Sequence, residues 1–529
     1  MRVRSIAMMT ALVGSLAFAP AVTSDIGDAE GTGSENFTLS QNVPHSSGGR
    51  GSDIEFATFT FDEPVDAEAA GYRNPAADAD PATDGIQKDI ALAGTTGTKF
   101  YLYDVTTPDD VYETAAYDCP ANQGDTQVFR RDDKTYTTYT VEDGGSALSG
   151  TEECGVDAGL VPGQGNEGGS YTGTLIIEIT NPFAPKAVAF IQVDEGSHNG
   201  TVHPSGNYFY NSNSSLITEM VLEDQPGIEY YDISDLDNIV RLGKLYLPQV
   251  PLSLGNESHD ITFDDDGDRA YSAALAQGVI MDTSDPANPT IISTFVDPTI
   301  QVWHQSDPID IDGRRFLFIE DEFAGATGSG QCPNGGVHVY EVTPGTPTET
   351  VPVKVGYWNI DEVRVMASEG GATPIAPSCT AHVFRLHPEA NIATISYYNG
   401  GVRILDLNGM QGVALGGVSG GVTLDANGYG QDPIVQIGFR RFENSNSWSA
   451  KTPRIPLDAD GNVSDFQVFS NGGRGIDSLA FDADNDAAAE MAATQGRWFS
   501  PAEALDALGT GFTFAEIQAG LKPYACLLQ

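Results

Sequence analysis

Of the eight histidines in this 529-residue chain, four recur at one place in successive stretches of similar sequence: His198, His259, His304 and His382. Each opens a segment in which a polar or apolar residue and then an alternating run follow the imidazole. The segments read SHNGTVHPSGNYFY, SHDITFDDDGDRAYSA, WHQSDPIDIDGRRFLFIE and AHVFRLHPEANIATISYY. Neutral imidazole is a good ligand for iron, copper or zinc, so four of them brought to one point form a candidate transition-metal site. Metal-bound histidines need a carboxylate or carbonyl on the other ring nitrogen, and Glu195, Glu257 and Glu320 lie near these segments as candidates. Aligning FDADND (Phe481 to Asp486) with FDDDGD (Phe263 to Asp268) places Asp477 where His259 sits, as a fifth ligand, a catalytic proton acceptor or a strand-opening turn residue. Histidines that open strands also hydrogen-bond neighbouring loops, and a repeat copies a structural residue as readily as a ligand, so both readings stand at this point. His338 aligns with Glu229 and Arg403, a variable polar position, and is expected to face solvent. His203 and His387 precede proline in turns, and His45 lies near the N-terminus.

The elements that must position these residues show as a second repeat. A run of β-branched and aromatic residues ends in an acidic residue at Asp104, Glu178, Asp232, Asp282, Glu341 and Asp406, and a Ser/Thr/Asn turn follows. Alternating apolar and polar residues mark half-buried strands, and each histidine-led segment reads as a hairpin with a Gly- or Pro-containing turn. Units of some tens of residues with four strands each define a β-propeller, whose blades bury their faces only against one another. Six copies, with GIDSLAFDADND (Gly475 to Asp486) as a seventh, predict an all-β, seven-bladed propeller with loop insertions at 62–95, 120–170 and 410–430. A short helical C-terminal tail follows, because SPAE and TFAE (from Ser500 and Thr513) have the form of capping boxes. The expected organisation is a signal peptide over 1–21, a flexible leader over 22–51, the propeller over 52–490 and the tail over 491–529.

The N-terminus has a short basic region (Arg2, Arg4), an apolar stretch from Ile6 to Phe18 and the small-x-small site Ala19-Pro20-Ala21, which predicts export. The expected location is extracellular or periplasmic, with no membrane span in the mature chain. Export permits disulfides; Cys119 with Cys154 and Cys332 with Cys379 are the expected pairs, leaving Cys526 over. With 26 basic and 74 acidic side chains the formal net charge is −48. A phosphate backbone needs a Lys/Arg surface that this chain lacks, so nucleic-acid partners are excluded. Scarce lysine and abundant aspartate fit a salt-rich, halophilic habitat as well as an ordinary secreted acidic protein. Asp482-Ala-Asp484-Asn-Asp486 and Asp264-Asp265-Asp266-Gly267-Asp268 are candidate calcium loops, with hairpin-turn chemistry the alternative. No GxSxG, Walker A, GxGxxG or HExxH motif occurs. Arg314-Arg315 and Arg440-Arg441 are candidate spots for an anionic substrate or for salt bridges, and Trp303 for a pocket wall or the core.

Two phrases, GVIMDTSDPANPTIISTF (Gly278 to Phe295) and YYNGGVRILDL (Tyr397 to Leu407), resemble the repeat of LVIVD-type propeller proteins. The resemblance spans residues 52–480 and implies a secreted propeller without assigning an activity. The histidine-led strands also resemble those of selenium-binding, methanethiol-oxidase-type propellers, a class associated with metal. Two functions follow as expectations. One is a metal-dependent oxidoreductase acting on an unknown small molecule. The other is a non-catalytic propeller that recognises an extracellular protein or polysaccharide through its loop face.

Overall fold

The computed structural model describes residues 31–485 and 496–498, apart from 122, 143–146, 194–195, 214–226, 251–255, 298–299, 323–334, 361–379, 399, 414–432 and 443–445. Seven antiparallel sheets make a seven-bladed β-propeller, with three short helices among the described residues at Pro64–Ala70, Glu153–Asp157 and Pro347–Thr350. The innermost strands of blades 1 to 7 are Gly51–Phe61, Val128–Arg131, Asn199–Val202, Asp260–Phe263, Trp303–Ile311, His382–His387 and Ser447–Lys451. The acid-ending repeat is the third strand of the first six blades, from Phe100–Asp104 to Val402–Asp406. Its acid has a local purpose: Asp232 Oδ1 accepts the Ser234 backbone N–H at 2.9 Å, and Asp406 Oδ1 that of Asn408 at 2.8 Å. These side-chain turns send the chain into the outer strand. Apolar side chains on both faces of each blade pack against the adjacent blades, as where Phe316, Val339 and Val355 of blade 5 meet Phe384, Ile395 and Leu405 of blade 6.

Three expectations about organisation change. The leader is not wholly flexible: Phe37–Val43 pairs with Gly475–Phe481 as the outer strand of blade 7, and Thr32–Gly33 adds a fifth strand to blade 6. This segment alternates apolar and polar residues only briefly, which hides a strand whose partner lies over 400 residues away. The stretch 62–95 contains the second strand of blade 1, Ile86–Thr95, and 120–170 contains the first hairpin of blade 2, Val128–Arg131 with Lys134–Val141. In blade 2 the threonine-rich strand Lys134–Val141 carries a weak hydrophobic signal and reads as insertion. The tail contributes Gly496–Trp498 to the edge of blade 5; its expected helices lie outside the described residues.

Cys119 and Cys154 form the expected disulfide, whereas Cys332, Cys379 and Cys526 lie outside the described residues. No helix among the described residues is long and apolar enough to cross a membrane.

Candidate metal centre

Blades 3 to 6 each deliver one histidine at the start of the innermost strand, and the four rings form an arc. Successive ring centroids, from His198 through His259 and His304 to His382, lie 4.1, 4.0 and 4.4 Å apart. All four imidazoles are buried. Burial, reinforced by mutual repulsion within the arc, holds His259 and His382 well below the usual imidazole range, and burial also lowers His304. These three are therefore neutral near pH 7, the form that binds metals.

Hydrogen bonds fix which nitrogen is free. His259 Nδ1 donates to the carbonyl of His304 at 2.9 Å, and His382 Nδ1 donates to the carbonyl of Trp448 at 2.6 Å. A carbonyl only accepts, so the proton sits on Nδ1 and the lone pair on Nε2. A carboxylate faces the other two: Glu142 Oε1 lies 2.7 Å from His198 Nδ1, and Glu320 Oε2 lies 2.7 Å from His304 Nδ1. In both contacts Nδ1 is the engaged nitrogen, which leaves Nε2 facing the arc; burial pushes the Glu320 carboxyl well above its usual range, so the proton of that pair belongs to the contact as a whole. The Nε2 atoms of His304 and His382 both face Glu322, 3.9 Å from its Oε2 and Oε1 respectively. Ligand atoms of His304, Glu322 and His382 all lie within 4.8 Å of one another. Neighbouring ligands of a tetrahedral ion bound at about 2.1 Å are roughly 3.4 Å apart, so these residues would fit a transition metal after closing by about 0.5 Å at the Glu322 contacts and by up to about 1.4 Å at the widest separation. His198 is the exception, because the Gln123 amide lies 2.7 Å from its Nε2.

Tyr398 completes the wall. Its hydroxyl donates to Glu322 Oε1 at 2.6 Å, and its ring lies 4.4 Å from that of His382. The backbone there is left-handed, φ 42°, a costly conformation for a bulky residue that concentrates at functional sites. Its carbonyl, accepting the N–H groups of Gly401 and Ser447 at 3.0 Å each, keeps it there. Trp448 stands next in the arc, its ring 4.8 Å from that of His382. A cavity of about 330 Å³ adjoins the arc at His304. Lys451 there pairs with Asp53 at 2.9 Å, and Arg385 pairs with Glu55. Asp125, Asp260 and Asp307 also line it, each pushed up by burial, Asp260 to about 6.

The predicted residues divide. His198, His259, His304 and His382 come together, and Glu320 sits against His304. Glu257 does not reach the histidines: its Oε2 accepts the Gly227 N–H at 2.9 Å and its Oε1 lies 3.8 Å from Lys244. Glu195 lies outside the described residues. Asp477 is not at the His259 position. It stands on the third strand of blade 7, paired with Ser470 and Asn42, and takes the Asn42 amide at 2.8 Å. The alignment fails because Phe263 closes an innermost strand and Phe481 a third strand, and both run into similar Asp-rich turns. His338 is buried rather than solvent-facing, with Nδ1 2.7 Å from Lys354 Nζ. His203 is a turn residue as expected, yet buried, with Nε2 donating to the Gly267 carbonyl at 3.0 Å. His387 is likewise buried, at the end of its strand, and His45 is buried against Tyr103 and Asn471. Arg314 and Arg315 form salt bridges, Arg440 donates to the carbonyl of Phe37, and Trp303 packs in the core against Phe295. Asp264 serves its turn, accepting the Arg269 N–H and pairing with Arg315; Asp486 of the other acidic loop lies outside the described residues. Sequence reasoning missed Glu142, Gln123, Glu322, Tyr398 and Trp448. Glu322 is separated by one residue from Glu320, so the run IED-E of a histidine-facing hairpin was the available signal.

No protein-family model matches the chain, and no curated protein matches it. Solved structures resemble it at low sequence identity. The β-propeller domain of Cps50 from Myceliophteria thermophila is 10% identical over 85% of this chain and 99% of that one, with a TM-score of 0.45. The Pseudomonas aeruginosa periplasmic gluconolactonase is 11% identical over 74% of this chain and 96% of its own, also at 0.45. A putative 6-phosphogluconolactonase from Bacteroides fragilis is 10% identical over 74% and 95%, at 0.41.

Proposed function

We propose that this protein is an exported propeller of the LVIVD-repeat type that binds one transition metal, iron, copper or zinc, on its axis and acts as a metal-dependent oxidoreductase on a small molecule. The observation that carries the reading is the set of Nδ1 contacts. Each imidazole of the arc has a carbonyl or carboxyl oxygen on that nitrogen, which turns Nε2 of His259, His304 and His382 to the ion, while Nε2 of His198 meets the Gln123 amide. His304, His382 and Glu322 would hold the ion, with His259 and His198 next along the arc. A bound ion of this kind supplies Lewis-acid or redox chemistry at an open position. The chain's own residues supply the rest. Glu320 and Glu142 orient imidazoles, Tyr398 aims Glu322, and Glu322 is the carboxylate placed to hold or pass a proton. Export is supported by the Cys119–Cys154 disulfide, and calcium in the Asp-rich turns is secondary to their own hydrogen bonds.

A non-catalytic binding propeller is the second reading, and the Gln123 amide on His198 Nε2 speaks for it. Elemental analysis of chelator-washed protein beside His304→Ala separates the two. About one transition metal per chain, lost in the variant, is the expected result. No metal in either protein after incubation with iron, copper or zinc, with the fold intact, overturns the metal reading.

A further inference from the structure

Among the described residues, the cations that line the cavity are paired with carboxylates. Lys451 pairs with Asp53, Arg385 with Glu55, and Arg315 at the channel wall with Asp264 and Asp310. Arg50, which enters the innermost strand of blade 1, differs. Its backbone is pinned, the carbonyl accepting the Thr96 N–H at 2.9 Å. Its guanidinium lies over the Trp448 ring at 5.3 Å and makes no hydrogen bond or ion pair among the described residues. Nε is buried without a partner, and burial lowers the side chain's pKa.

A ring face satisfies none of the five N–H donors of an arginine, and a buried unsatisfied donor is costly. A chain with 74 acidic side chains has carboxylates in excess, yet among the described residues none pairs with this guanidinium. The position is specific as well. Trp448, beneath the guanidinium, lies 4.8 Å from His382, and the charge of Arg50 is felt by His382 and Tyr398. The free cation therefore sits beside the end of the histidine arc.

We infer that Arg50 is an anion-binding residue, which takes the head group of a substrate carrying two oxygens in one plane, with Trp448 as the floor beneath it. Carboxylate and phosphate share this geometry, and a guanidinium fork matches both. A local cation is needed because the net charge of −48 repels anions everywhere else. Placement of the anion next to a metal rests on the reading above; the binding itself does not.

The test uses the full exported chain, both chelator-stripped and copper-loaded, at constant ionic strength. Benzoate, acetate and inorganic phosphate are titrated by calorimetry, with chloride as the control. Saturable binding of a carboxylate or of phosphate is expected in the stripped protein, and its identity distinguishes the two classes. Arg50→Leu should weaken it at least tenfold, Arg50→Lys should recover part of it, and metal content should be unchanged in both. Equal binding by Arg50→Leu, or no saturable binding of any probe to the wild type, overturns the inference. Arg50-dependent binding in a protein that takes up none of iron, copper and zinc would overturn the metal reading and leave this one standing.

Discussion

Tyr398 is held in a left-handed backbone conformation so that its hydroxyl reaches Glu322, and the benefit should appear in metal affinity. Loss of a residue that orients a ligand costs about 10–100-fold in affinity. Tyr398→Phe should therefore weaken copper binding by that factor, measured by competition with a chelator. In a Glu322→Gln background the same change should have almost no further effect, because Tyr398 acts through that carboxylate. His45 makes the stability of the fold depend on pH. Burial holds it at about 4 against an ordinary 6.5. The folded state keeps it neutral while the unfolded chain protonates, so the unfolded state binds more protons between pH 6.5 and 4. Stability from this residue is complete above pH 6.5 and is lost as pH falls towards 4, by roughly 3 kcal/mol. Urea titrations of wild type and His45→Gln across that window should converge at low pH; parallel curves would count against it. The four axial histidines were legible because one repeat copies them at one place. Glu142 and Trp448 were not, since they lie more than 50 residues from their histidine partners and sit in no shared motif.

At the scale of the elements, the third strand was the readable unit, because its acid and turn recur for a local hydrogen-bonding reason. The innermost strands of blades 1 and 2 had no such label. Blade 2 shows what takes its place. Its first hairpin, rich in threonine, lies in the 35-residue span closed by the Cys119–Cys154 disulfide. Closing a loop of that length stabilises by up to about 4 kcal/mol in the chain-entropy account. The Cys119→Ser, Cys154→Ser double variant should lose 2–4 kcal/mol (~) of unfolding free energy, and hydrogen exchange should quicken first in Val128–Arg131 and Lys134–Val141. Loss of protection spread evenly over all seven blades would show that the bridge does not act locally. Closure of the ring rests on the pairing of Phe37–Val43 with Gly475–Phe481, to which buried polar contacts with blade 6 add: Arg440 donates to the Phe37 carbonyl at 2.7 Å, and the Asn36 amide to that of Ile437 at 2.9 Å.

Across the whole molecule, the charge of −48 sets the response to salt. Self-repulsion among exposed carboxylates is screened within about 3 Å at 1 M ionic strength and about 10 Å at 0.1 M. The melting temperature should rise steadily as sodium chloride is increased from 0.1 to 2 M, followed by calorimetry. A flat response would show that the acids are spaced widely enough to ignore one another.

The strand Phe37–Val43 carries a consequence for the time at which this molecule becomes a folded object. Its partner, Gly475–Phe481, is made last of the seven third strands. Six blades can form in order as the chain lengthens, each by local pairing, but the seventh lacks its outer strand until both halves of the pair are free at once. The search for such a distant partner is slow. During that interval the Gly475–Phe481 edge has unpaired backbone groups, which invite pairing with a neighbouring chain. A chain delivered unfolded and whole meets its own N-terminal strand at a concentration no neighbour matches. Fragments ending before residue 475 should accordingly stay open and associate, however well their first six blades fold.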